Sequence, residues 1–108
     1  MTENQGDENK CGGDIFALQV LGDSMSPEFN EGHIIIIDPN GLVKSGSYVL
    51  AMYQGEYIFR QLYLENAHYL LKPLNTNYPT VEIAGLSDVK GVIVQRAGTH
   101  RREHKQYE

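Results

Sequence analysis

Ser24 is the residue of this chain with the plainest chemical potential. It stands in Leu21-Gly22-Asp23-Ser24-Met25-Ser26-Pro27, followed by Glu31-Gly32 and the apolar run His33-Ile34-Ile35-Ile36-Ile37. Apolar residues alternating through Ile15, Ala17 or Leu18, and Val20 predict a strand ahead of it. Gly22 permits a sharp turn, and Pro27 suits the start of a helical turn. A serine at such a junction presents its hydroxyl beside free backbone N–H groups, the raw material of a nucleophile and an oxyanion hole. The competing reading is structural, with Ser24 as a simple N-cap.

The longer pattern carries more information. Gly22-Asp23-Ser24-Met25-x-Pro27, then Gly32 and the isoleucine strand ending in Asp38, resembles the LexA-like S24 peptidases. This group holds self-cleaving repressors and UmuD-type mutagenesis proteins, and is related in fold to signal peptidases. Further segments match in order: Val43 to Ala51, Leu70-Leu71-Lys72-Pro73-Leu74-Asn75 with Tyr78-Pro79, and Gly91-Val92-Ile93-Val94. The resemblance runs from about Asp14 to Arg96. It implies Ser24 as nucleophile, Gly22 and Met25 as its turn and oxyanion positions, and a lysine base on a later strand.

At the base position the chain departs from that pattern. The matching strand is Glu56-Tyr57-Ile58-Phe59-Arg60-Gln61-Leu62-Tyr63, and counting back from Pro73 puts Arg60 where the lysine belongs, 36 positions after Ser24. The lysines are Lys10, Lys44, Lys72, Lys90 and Lys105, none of them in this strand. A Ser–Lys dyad works because burial lowers the ammonium pKa, so that a neutral amine can take the serine proton. Arginine stays protonated and is a poor general base, though its guanidinium can hydrogen-bond Ser24. Two rescues remain open, Lys72 swinging in from its loop or His33 acting from the next strand. Strand alternation sets Arg60 on the face of Ile58, with Asp23 or Glu82 as candidate partners for its charge.

Positioning these residues falls to a mostly β chain. Strands are expected at 15–21, 33–38, 47–53, 56–63, 68–71, 81–83 and 89–96. Turns are expected at Asp38-Pro39-Asn40-Gly41, Gln54-Gly55 and Glu65-Asn66. The only helix expected is the short turn from Ser24 to Asn30. Together these predict a compact, curved β-sheet domain of the LexA and signal-peptidase kind. The tyrosines at 48, 53, 57, 63 and 69 fall on or beside strands, where half-buried aromatics pack well.

With 108 residues the chain suits one domain: a flexible leader over 1–13, an S24-like domain over 14–97 and a charged flexible tail over 98–108. The leader is too short for a helix-turn-helix domain. Its Cys11-Gly12 matches the kind of bond such repressors cut, but on a tether too short to return to its own Ser24; it could reach another subunit's, or be an incidental pair in the leader. A formal net charge of −5 argues against a general nucleic-acid surface, and the Arg101-Arg102 pair reads as part of a solvated tail. No apolar stretch is long enough to span a bilayer, and the polar opening is unlike a signal peptide. One cysteine excludes an internal disulfide and suits the cytoplasm. Neither zinc spacing nor a phosphate loop is present, so no cofactor or metal is expected.

Three functions follow. The first is an S24 domain with impaired self-cleavage, kept as a dimerisation or regulatory module of a repressor or an SOS-response mutagenesis protein. The family implies a homodimer, for which Val89 to Val94 offers an apolar edge, and a protein partner such as a repressor half or an error-prone polymerase. The second is an active Ser24-dependent peptidase cutting itself or a partner. The third is a purely structural interaction domain.

Overall fold

The computed structural model describes residues 13–98 and 104–107. Eight strands make one antiparallel sheet: β1 Phe16–Gln19, β2 Ile34–Asp38, β3 Tyr48–Tyr53, β4 Glu56–Glu65, β5 His68–Lys72, β6 Val81–Ile83, β7 Val89–Ala97 and β8 Lys105–Gln106. Their order is β1-β2-β7-β3-β4-β5-β6, with β8 paired to β7. The mostly β architecture is therefore as expected, and seven strands lie within two residues of their expected bounds. No helix of the described residues is long and apolar enough to cross a membrane.

Alternation along the strands builds two cores. On β3, Leu50 joins Val20, Met25, Phe29, Ile35, Ile37 and Ile93, while Val49 and Ala51 join Leu62, Leu71, Ile83 and Val92. Successive side chains point to opposite faces of a pleated strand, so this one strand serves both clusters. Register slips at Ile36/Ile37 in the β2–β7 pairing and at Leu50/Ala51 in the β3–β7 pairing, the kind of irregularity that bends a sheet. At Gly91, opposite Leu50, an added Cβ would stand 2.4 Å from Cγ2 of Ile37.

Several expectations change. The segment after Ser24 is a turn with one helix-type bond, Phe29 N–H to Met25 O at 2.9 Å, rather than a helix. Its Ser26–Pro27 peptide is cis. A short 3-10 turn at Leu86–Asp88 had no counterpart in the sequence reading. The β4–β5 hairpin turns at Asn66-Ala67, with φ of 51° and 67°, one residue beyond the expected Glu65-Asn66. Gln54-Gly55 turns the β3–β4 hairpin as expected, both residues having positive φ.

Strand β7 is not an edge. It pairs with β2 through Val92, Ile93 and Gln95 to Ala97, and with β3 through Val89, Gly91 and Val92, so Val89 to Val94 lies inside the sheet. The expected flexible tail also differs where it is described, because Lys105–Gln106 pairs with Gln95–Arg96 and Tyr107 packs on Phe29 and Tyr48. Residues 1–12, including Cys11-Gly12, and 99–103, including Arg101-Arg102, lie outside the described residues.

Candidate active site

Ser24 is held from both sides of its turn. Gly22, at φ 79°, reverses the chain after Val20 in a conformation that disfavours side chains. On the other side Met25 is 1% exposed in the core, which anchors the backbone next to Ser24. The Leu74 and Asn75 amides both donate to the Ser24 carbonyl, at 3.1 and 3.0 Å. Asn75 Nδ2 adds a bond to the Asp23 carbonyl at 3.2 Å, and Tyr78 donates its hydroxyl to Asp23 Oδ1 at 2.6 Å. The loop Pro73 to Tyr78 thus latches the turn that presents Ser24. Its motif residues were visible in the sequence, but this latching role was not.

Arg60 arrives from β4. Its Nη1 donates to Ser24 Oγ at 3.0 Å and to the carbonyl of Phe59 at 2.8 Å. Its Nε is buried without a hydrogen-bond partner, and no carboxylate among the described residues lies in ion-pair reach of it. Neither expected counter-ion serves: Asp23 Oδ1 takes the Tyr78 hydroxyl, and Glu82 pairs with His68 at 2.6 Å. The Arg60 carbon Cζ lies 5.7 Å from the centroid of the Tyr78 ring. Burial lowers the Arg60 pKa, partly opposed by Tyr78. The group nevertheless remains a cation at ordinary pH.

The two rescue bases are engaged elsewhere. Lys72 Nζ reaches Glu65 at 2.9 Å and lies 4.6 Å from the Tyr63 ring centroid, on the β4–β5 hairpin. His33 Nδ1 accepts the Asn30 amide at 3.1 Å, at the far end of the turn.

Ser24 and Arg60 line a cavity of about 250 Å³ whose other walls are mainly apolar, with Leu18, Val20, Ile35, Leu50 and Ile58 among them. Tyr57, 63% exposed, stands at this cavity and at a neighbouring one of about 390 Å³ along β1. Among the described residues no group of three or more His, Cys, Asp or Glu is placed to hold a metal ion.

A serine hydroxyl at the head of a tight turn, latched through its own carbonyl, thus faces a basic residue from a neighbouring strand. The model of the Peptidase S24-like family matches residues 3–94. The chain belongs to this family. It is 39% identical over 90 residues to Repressor protein C2 of Salmonella phage P22, covering 78% of this chain and 42% of that protein. It is 39% identical over 87 residues to the HTH-type transcriptional regulator for conjugative element SXT of Vibrio cholerae, covering 74% and 40%. With the LexA repressor of Magnetococcus marinus it shares 31% over 85 residues, covering 78% and 37%. The chain thus spans about two-fifths of the length of these relatives.

Chemically, the Ser24–Arg60 pair runs opposite to a working dyad. A general base must accept the hydroxyl proton, whereas Nη1 donates into the oxygen and leaves that proton untaken. Guanidinium offers donors only, so no tautomer or rotamer reverses the direction.

Proposed function

We propose that this chain is the regulatory S24 domain of a repressor-class protein of the cytoplasm, with a peptidase site that retains its nucleophile turn and has lost its base. The observation that carries this reading is the 3.0 Å bond from Arg60 Nη1 to Ser24 Oγ, a cation in the lysine's place that donates where a base would accept. Support comes from the engagement of Lys72 with Glu65 and from the completeness of the turn around Gly22 and Met25, whose backbone is the candidate oxyanion hole. The repressors and regulators among its relatives support a regulatory role. Homodimerisation remains part of the proposal, with the open side of β1 as a candidate surface, since Phe16 and Leu18 there are 38% and 41% exposed.

The test is Ser24-dependent cleavage across pH in the native protein and in Arg60→Lys, offered an Ala-Gly peptide or a longer natural N-terminal extension. A lysine ends one bond short of Nη1, within the range that a small shift of the turn can close. The expected result is an inert native protein and a gain of cleavage in Arg60→Lys that Ser24→Ala removes. Cleavage by the native protein, lost in Ser24→Ala, refutes the impaired-site reading. A folded but inert Arg60→Lys refutes the claim that only the base is missing.

A further inference from the structure

A half-buried cation with no anion in reach among the described residues is an incomplete arrangement. Transferring a guanidinium out of water is costly unless an opposite charge and further hydrogen bonds compensate it. Here the hydrogen bonds of Arg60 among the described residues come from Nη1 alone, Nε is buried and unpaired, and the Asp23 and Glu82 carboxylates bond to Tyr78 and His68 instead. The Ser24 hydroxyl, which accepts from Arg60, still has its own O–H to donate. Both residues line a cavity whose remaining walls are largely apolar side chains. A guanidinium and a hydroxyl at one end of an apolar cavity are the recognition chemistry of a carboxylate carried on an apolar body. At about 250 Å³ the cavity falls below the usual range of drug-sized sites, and suits one branched side chain with its acid group.

We infer that the Ser24–Arg60 corner binds a small apolar monocarboxylate, with Arg60 and the Ser24 hydroxyl donating to its oxygens and the body seated between Leu18, Ile35 and Leu50. The inference rests on the reading of Arg60 as a fixed cation that does not serve as a base. Two sources present the same chemistry, a free carboxylic acid or the C-terminus of a peptide ending in an aliphatic residue.

The experiment titrates isotope-labelled native protein with 4-methylpentanoate and with N-acetyl-leucine, each beside its neutral amide, and follows backbone and arginine Nε–H resonances. At least one acid is expected to shift Ser24, Ile58 and Arg60 saturably, at about tenfold lower concentration or better than its amide. Stronger binding of N-acetyl-leucine assigns a peptide C-terminus, and stronger binding of 4-methylpentanoate assigns a free acid. Arg60→Gln should abolish the acid preference. The comparison in the native protein decides even where that variant fails to fold. Equal response to acid and amide, or no saturable shift at these residues, overturns the inference. A cleaving Arg60→Lys with a native protein blind to both acids removes this proposal and leaves the impaired-peptidase reading standing. Native cleavage removes that reading, and this inference with it.

Discussion

Truncating Tyr107 should release the C-terminal segment and loosen the turn that carries Ser24. Glu28, four residues after Ser24, is the hub: its Oε2 accepts from Lys105 Nζ at 2.7 Å and from the Tyr107 hydroxyl at 2.7 Å, while Arg96 Nη1 donates to the Glu28 carbonyl. The Tyr107 ring lies 5.2 Å from that of Phe29 and 5.4 Å from that of Tyr48. A hydrogen bond to a charged acceptor contributes about 1.5–3 kcal/mol, and each aromatic pair about 0.5–1.5 kcal/mol beyond its area. Tyr107 is only partly buried, which favours the lower end, so Tyr107→Ala should cost about 2–3 kcal/mol. The loss has a ceiling. Once it exceeds the docking free energy of residues 104–107, the segment detaches and further damage there has no effect. Deleting 104–108 should therefore cost about the same as Tyr107→Ala, and Tyr107→Phe about half as much. For a domain of this size the drop in Tm is on the order of 10 °C, read by thermal unfolding. Hydrogen exchange should show the Tyr107 amide, bonded to Val94 O at 2.8 Å, losing protection first. A Tm unchanged in Tyr107→Ala, or a deletion costing far more than the point variant, would show that Glu28 and Phe29 are not held by Tyr107 in this way. Acid should act on the same hub. Burial raises the Glu28 pKa, but its bonds to Lys105 and Tyr107 and the charges of Lys105 and Arg96 outweigh this and leave it below 4.5. The unfolded chain then binds the proton more readily, so this stabilisation is complete above pH 4.5 and fades as pH falls through the lower folded value.

Other perturbations test the frame around the site. Gly91→Ala puts a methyl 2.4 Å from Cγ2 of the fully buried Ile37, and overpacking there should cost about 1–3 kcal/mol in denaturant unfolding. An unchanged midpoint would mean that Ile37 has room to move. Asn75→Ala removes the Nδ2 bond to the Asp23 carbonyl and the side-chain acceptor of the Asn77 amide. It should cost about 1–2 kcal/mol and, in the Arg60→Lys background, lower the cleavage rate, since the latch behind Ser24 is weakened. A rate equal to that of Arg60→Lys alone would show that the backbone bonds from Leu74 and Asn75 suffice.

Much of this molecule was legible one residue at a time. The apolar runs in 33–38 and 47–53 and the recurring apolar positions in 15–21 and 56–63 mark strands, and Gln54-Gly55 marks a tight hairpin, because both depend on neighbours within a few residues. The same is true of the segment around Ser24 and of the absence of a lysine from β4, since side-chain chemistry and strand assignment are local properties. What escaped depends on partners distant in sequence. β8 has only two residues, both polar, so no periodicity marks it, and it exists because Gln95 and Arg96 offer it a ladder. That Val89 to Val94 is interior follows from β2 and β3 closing on it from both sides, which apolar alternation alone cannot distinguish from an open edge. Asp23 suited Arg60 as a counter-ion until the loop at Tyr78, 55 residues away, claimed its carboxylate. From the order of residues alone one could read an S24-type segment around Ser24 and the lack of a lysine in the strand matching that family's base position. That the arginine donates into Ser24 Oγ at the wall of an apolar cavity, while Asp23 turns to Tyr78, follows from the packing of β4 against the Ser24 turn and the 73–78 loop, because such contacts form only when separate strands and loops meet.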